Sequence, residues 1–139
     1  MKNWIFIFTI ALLFLACEQE LTQKKLGKYD NGQVQLIQFV ANEGGKEVVM
    51  KEQRFHENGQ LEMEGDFEEG ERHGIWKAYF KNGQLQSEGE FNKGIREGYS
   101  KVYYSNGHLM YEGQYSKDQK TGHWKFYNDS GVLVNEKDF

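Results

Sequence analysis

The chain has 139 residues, enough for one domain, with 16 glycines, no proline and 15% aromatic residues. That strand-and-turn composition excludes a disordered chain despite 27% charged residues. A formal net charge of −4 argues against a nucleic-acid binder, and one cysteine leaves no pair for a disulfide.

Residues 1–16 read as an export signal. Lys2 is a one-charge leader, and Trp4 to Leu15 is an apolar run too short for the ~20 residues of a spanning helix. The run ends at Leu15-Ala16-Cys17, with the only cysteine directly after a small residue. This resembles a lipoprotein signal peptide, which implies cleavage before Cys17 and acylation of its thiol. A plain signal peptide with an incidental cysteine is the other reading. Phe14 departs from the Leu usual at that place in such signals. Removing Lys2 leaves 16 basic against 21 acidic residues, so the exported chain is more acidic still. Glu18 follows Cys17 where an Asp would redirect sorting, so the resemblance implies an outer-membrane lipoprotein of the cell envelope, held to the membrane by its N-terminal lipid.

Residues 17–28 are polar and charged and read as the lipidated Cys and a flexible tether, with a short edge strand as the alternative. Residues 29–139 read as the folded domain. Tyr29 to Glu57 is a degenerate first copy of a repeated unit: Asn31-Gly32 opens it, and Val34 and Val40 hold its apolar offsets. About three residues are inserted, placed by the reading at Asn42 to Lys46. A terminal repeat that caps a stack is expected to be atypical.

From there the chain is periodic. Asn58-Gly59, Asn82-Gly83, Asn106-Gly107 and Ser130-Gly131 are each 24 residues apart. Asn-Gly between two runs of strand-formers is a strong hairpin signal, and a type I′ turn with positive φ at both residues is expected there. The register then pairs Phe80 with Leu85, Ala78 with Ser87 and Trp76 with Gly89 on one face. Tyr79 with Gln86, Lys77 with Glu88 and Ile75 with Glu90 fall on the other. The next hairpin puts Lys101 opposite Glu112, and the last puts Lys125 opposite Glu136. A one-residue slip would lose every one of these Lys–Glu pairs. Gly65, Gly89 and Gly113 recur at one offset, and the indole of Trp76 is expected to lie over Gly89, filling the place of the missing side chain. The segments between hairpins, Glu68 to Gly74, Asn92 to Gly98 and Ser116 to Gly122, read as charged exposed loops. The whole is an all-β, single-layer antiparallel meander of β-hairpin repeats with period 24.

The pattern Glu64-Gly65-x-Phe67-x-x-Gly70-x-x-x-Gly74-x-Trp76-x-x-Tyr79-x-x-Asn82-Gly83-x-Leu85 resembles the MORN repeat in its bacterial variant form, across Phe55 to Phe139. Ser100 in place of Trp, Asp118 in place of a loop Gly and Lys137 in place of a strand Gly depart from it. Bacterial members often bear an antitoxin-like label, which implies protein binding; other proteins with these repeats suggest phospholipid binding.

No nucleophile elbow, phosphate loop or metal-ligand cluster is legible, so neither catalysis nor a metal or other cofactor is expected. The four histidines fall at four different repeat offsets. A single-layer sheet leaves an apolar face without a cover. Trp76, Phe80, Tyr104, Tyr111, Trp124 and Phe126 share that face and are the candidate binding residues for an unknown protein partner or self-association. Tyr79, Tyr103 and Tyr127 form a ladder on the opposite face and are candidates for stacking on a glycan. Sheet curling that buries the first set, and cross-strand packing of the second, are the structural alternatives.

Overall fold

The computed structural model describes residues 20–139; the expected signal peptide and the Cys17 acylation site lie outside the described residues. Ten strands follow in chain order: β1 (Thr22–Lys28), β2 (Val34–Glu43), β3 (Lys46–Phe55), β4 (Leu61–Glu68), β5 (Glu71–Tyr79), β6 (Leu85–Asn92), β7 (Ile95–Tyr103), β8 (Leu109–Ser116), β9 (Gln119–Tyr127) and β10 (Leu133–Asp138). They form one sheet in which every strand pairs antiparallel with its chain neighbours. At ~4.8 Å per strand the sheet is roughly 45 Å across.

The expected register holds through the strand bodies. Ala78 pairs with Ser87, Lys77 with Glu88, Trp76 with Gly89 and Ile75 with Glu90. Lys101 meets Glu112 and Lys125 meets Glu136. The Phe80–Leu85 and Tyr79–Gln86 pairs do not form: a bulge makes Tyr79 the partner of Leu85. The Lys–Glu pairs are neighbours in register only, since among the described residues Lys77, Lys101 and Lys125 have no carboxylate within 4.0 Å.

The turns reverse the expectation. At Phe80-Lys81-Asn82-Gly83 only Gly83 has positive φ, 83°, and its N–H donates to Phe80 O at 2.8 Å. This is a three-residue loop closed by a left-handed glycine bulge, not a type I′ turn. The asparagine is there for its side chain. Asn82 Oδ1 accepts Gln84 N–H at 3.0 Å, and Asn58 and Asn106 do the same for Gln60 and His108. Asn58 Nδ2 also donates to Lys81 O, one repeat on, at 2.7 Å, and Asn106 Nδ2 to Asp129 O at 2.7 Å.

The tight two-residue turns are instead in the segments read as loops. Glu69-Gly70, Lys93-Gly94 and Lys117-Asp118 each have positive φ at both residues, directly joining β4 to β5, β6 to β7 and β8 to β9. Asp118 is tolerated in place of glycine because its Oδ1 accepts both Arg96 N–H and Arg96 Nε–H at 3.1 Å. Both contacts, the side-chain bond first, hold its carboxyl below the usual aspartate range.

Two further expectations change at the N-terminal end. Residues 22–28, read as tether, are the edge strand β1, which pairs with β2 from Thr22↔Val40 to Lys28↔Val34. The three extra residues of the first copy make no wider loop: β2 and β3 are 10 residues each against 8 and 9 for β4 and β5, and Gly44-Gly45 joins them tightly.

Candidate functional site

The apolar face is built on one module used twice. In the first copy, three residues of β5 (Gly74, Ile75, Trp76) stand against the single residue Gly65, between the Glu64–Lys77 and Asp66–His73 pairs. Gly74 takes φ 69° to make this bulge. A bulge re-aims the side chain beside it. The Trp76 indole consequently lies over Gly65, so close that a Cβ there would sit 2.3 Å from it. The sequence expectation had placed it over Gly89, its other neighbour; a Cβ at Gly89 would meet nothing nearer than 3.5 Å. Phe67 packs edge-on to the indole at 5.2 Å, the Arg72 guanidinium covers it at 4.3 Å, and its N–H donates to Asp66 O at 3.0 Å.

The second copy repeats this 48 residues later. Trp124 lies over Gly113, where a Cβ would come within 2.2 Å. Tyr115 meets it edge-on at 5.1 Å and Lys120 Nζ covers it at 4.4 Å. Tyr111, Phe126 and Phe139 add ring contacts at 5.9, 6.3 and 6.0 Å. Trp124 is fully enclosed and Trp76 is 5% exposed, although among the described residues no second layer covers the sheet. Rings and cation stems do the covering, in the way long cationic side chains shield apolar surface.

Between these modules stands Ser100. Its strand also bulges, but opposite Glu90 rather than Gly89, so that Ser100 stays in register with Gly89 and Gly98 takes φ 103°; it keeps the cation, Arg96, which stacks on Tyr115 at 4.2 Å. With no indole over Gly89, the face opens into a cavity of about 240 Å³. Gly89 and Ser100 form its floor, and Trp76, Phe91, Val102 and Tyr111 are among its walls. Arg72 and Arg96 are also among its lining residues.

The six candidate residues of this face therefore divide. Trp76 and Trp124 are interior; Phe80, Tyr104, Tyr111 and Phe126 are half-buried. The Tyr104 hydroxyl donates to Tyr127 O at 3.0 Å and so joins two repeats. The residues that sequence reasoning missed are Gly89, Ser100, Arg72 and Arg96. Ser100 was legible as a departure from the repeat, but not as an opening, because the indole was assigned to the wrong glycine.

On the opposite face the ladder is also tied down. Tyr79 OH donates to Glu64 at 3.1 Å and Tyr127 OH to Glu112 at 3.1 Å. Burial, then the facing glutamates, push the hydroxyls of Tyr79, Tyr103 and Tyr127 above the usual phenol range. Burial pushes the Glu64 carboxyl up, but hydrogen bonds from Gln53 and Tyr79 outweigh it and leave it below the ordinary value. Among the described residues no group of His, Cys, Asp and Glu side chains is placed to hold a metal.

Comparison with known proteins agrees with the repeat architecture. The family described as MORN repeat variant matches residues 49–69, 72–93, 96–117 and 120–139. No curated protein matches the chain. Among solved structures, a chain in the crystal structure of a GtfA/B complex bound to UDP and GlcNAc aligns at 14% identity and TM-score 0.35. The match covers 88% of this chain and 24% of that one. Repeats of this kind are generally associated with membrane or protein binding. With four matched copies spanning most of the ten-stranded sheet, the chain belongs to the MORN repeat variant family.

Proposed function

We propose that this chain is a lipid-anchored, exported repeat protein of the cell envelope that serves as a non-catalytic protein-binding scaffold through its aromatic sheet face. The observation that carries the reading is the gap at Ser100. Everywhere else on that face rings and cations enclose the indoles, and here a cavity walled by rings and charged side chains is left open. Concave apolar sites with a few charged groups at the rim are the usual form of a binding site. The bacterial, antitoxin-like resemblance supports a protein as the bound partner. A photo-crosslinking residue at position 100 or 111 of the acylated protein in cells should trap one specific partner, or a second copy, and the same residue at exposed position 86 on the other face should not. Equal trapping at both faces, or none at 100 and 111, ends the reading.

A glycan- or phospholipid-binding module is the alternative. For a glycan, the Tyr79, Tyr103 and Tyr127 ladder supplies stacking rings spaced one repeat apart. The exported chain's acidic charge disfavours anionic lipid. Co-sedimentation of the mature domain with cell-wall material or with vesicles, lost on Tyr→Ala changes in the ladder, would favour it over the scaffold.

A further inference from the structure

We infer that the notch over Gly89 is a receptor site for an aromatic side chain of a partner protein, with an acidic residue beside it. The inference rests on the scaffold reading above and says what the partner inserts.

The molecule contains its own templates for the ring. The same repeat position holds an indole over glycine in the copies at Trp76 and Trp124. At Ser100 the glycine floor, the positive-φ glycine and the edge-on ring position are kept while the indole is absent: Gly89 takes the place of Gly65 and Gly113, Gly98 that of Gly74 and Gly122, and Phe91 that of Phe67 and Tyr115, although the bulge falls one residue later along β6 and leaves Ser100 in register with Gly89. Gly89 has no backbone need for glycine. Its φ is not in the left-handed region and a Cβ there would touch nothing closer than 3.5 Å. A flat floor beneath an unfilled ring position is what an incoming planar group requires. An apolar ring that displaces loosely held water from such a notch gains affinity.

The acidic neighbour follows from the rim. Arg96 is paired with Asp118 at 3.1 Å. Arg72 is held only by Trp76, by Phe91 at 5.8 Å and by a 3.6 Å contact to Met63 Sδ, and among the described residues no carboxylate lies within 4.0 Å of it. A guanidinium stacked on an indole keeps its in-plane N–H groups free for a carboxylate. Glu88 and Glu90 contribute to the floor from strand positions whose side chains turn to the tyrosine face, where Glu90 accepts Tyr99 N–H at 3.2 Å. They do not neutralise Arg72.

The test uses the folded chain and a capped hexapeptide, Gly-Ser-Trp-Asp-Ser-Gly, followed by NMR. Saturable shifts centred on Trp76, Gly89, Ser100 and Tyr111 are expected. Replacing the peptide's Trp by Ala should weaken binding about tenfold or more, and replacing Asp by Asn about threefold, as befits an exposed pair. Ser100→Trp should abolish binding by filling the notch from within. Arg72→Gln provides a readout that does not depend on that variant folding: it should erase the preference for Asp over Asn. Shifts elsewhere on the sheet, no shifts, undiminished binding to a folded Ser100→Trp protein, or an Asp preference that survives Arg72→Gln would each overturn the site. The titration needs no native partner. Its failure with crosslinking intact removes the notch alone, and loss of crosslinking removes the scaffold reading whatever the peptide does.

Discussion

Two kinds of junction hold this sheet together, and they differ by a handful of side chains. Where the second hairpin follows the first, Trp76 covers Gly65, Asn58 Nδ2 reaches Lys81 O, and His56 Nε2 contacts Tyr79 O at 2.9 Å. Where the fourth follows the third, Trp124 covers Gly113, Asn106 Nδ2 reaches Asp129 O, and Tyr104 OH reaches Tyr127 O. The junction between them has none of the three. Ser100 replaces the indole, Asn82 Nδ2 turns back to Gln84 Oε1 at 3.0 Å, and Phe80 has no donor to offer. The backbone ladder continues unbroken across it from Ser87↔Val102 to Gly89↔Ser100. Strand pairing alone is therefore enough for the architecture; the side-chain links are local additions that can be withdrawn where an open surface is wanted.

The sharpest way to break this comparison is at the indoles. Trp124→Ala should cost about 3–5 kcal/mol, a large part of a small domain's stability. Trp76→Ala should cost less, because Trp124 has four ring neighbours where Trp76 has Phe67 and the cation. Urea unfolding followed by far-UV circular dichroism measures both; equal losses would mean that enclosure does not set the contribution. The glycines come next. Gly65→Ala and Gly113→Ala drive a Cβ into an indole and should cost about 1–3 kcal/mol by overpacking. Gly89→Ala, whose Cβ would meet its neighbours only at ordinary contact distance, should be neutral or stabilising by up to ~1 kcal/mol through reduced chain entropy. The same unfolding assay separates them, and a Gly89→Ala protein as damaged as Gly113→Ala would show that the notch is filled in solution.

A smaller contrast lies in the asparagines. Asn106→Ala removes a bond to the neighbouring repeat and one within its own turn, roughly 1–2 kcal/mol at the net worth of such bonds. Asn82→Ala also removes two bonds, but one of them goes only to the exposed Gln84 side chain rather than to the neighbouring repeat, so it should cost less. Matched urea midpoints would remove the inter-repeat ladder from the account. These residues also mark where sequence reasoning reached its limit. The strand bodies, their register and the residues of each face were legible, because a period of two inside a period of 24 leaves one consistent arrangement. The role of Asn was not. Its partner is a carbonyl 23 residues away, and a rule about positive φ in short turns explains the same two letters locally. Likewise Glu69, Lys93 and Lys117 carry no local sign of a left-handed backbone, yet they close the tightest turns. Trp76 has a glycine on either side of it in the sheet, Gly65 and Gly89, and the bulge at Gly74 decides between them.

The outermost junction supplies the mildest test. The residues of β10 are all exposed. Beyond pairing with β9, the strand is pinned by the Phe139 ring against Trp124 and by His123, whose Nδ1 lies 2.8 Å from Asp138 and Nε2 3.2 Å from Glu136. The hydrogen bond with Asp138, then that with Glu136, holds the imidazole above its ordinary range. A group bound more tightly when protonated stabilises the fold fully at pH below its unfolded value, and the contribution is lost as pH rises through the higher folded value. Amide exchange in β10 should therefore quicken as pH is raised across that window, once the intrinsic base-catalysed rate is divided out, while exchange in β7 and β8 stays unchanged. Asp138→Asn should lower the His123 titration midpoint, read from its ring proton shifts, and shrink the pH effect on β10 without touching the interior. A midpoint that ignores Asp138→Asn would leave the last strand held by its backbone pairing and the Phe139–Trp124 contact, without the histidine.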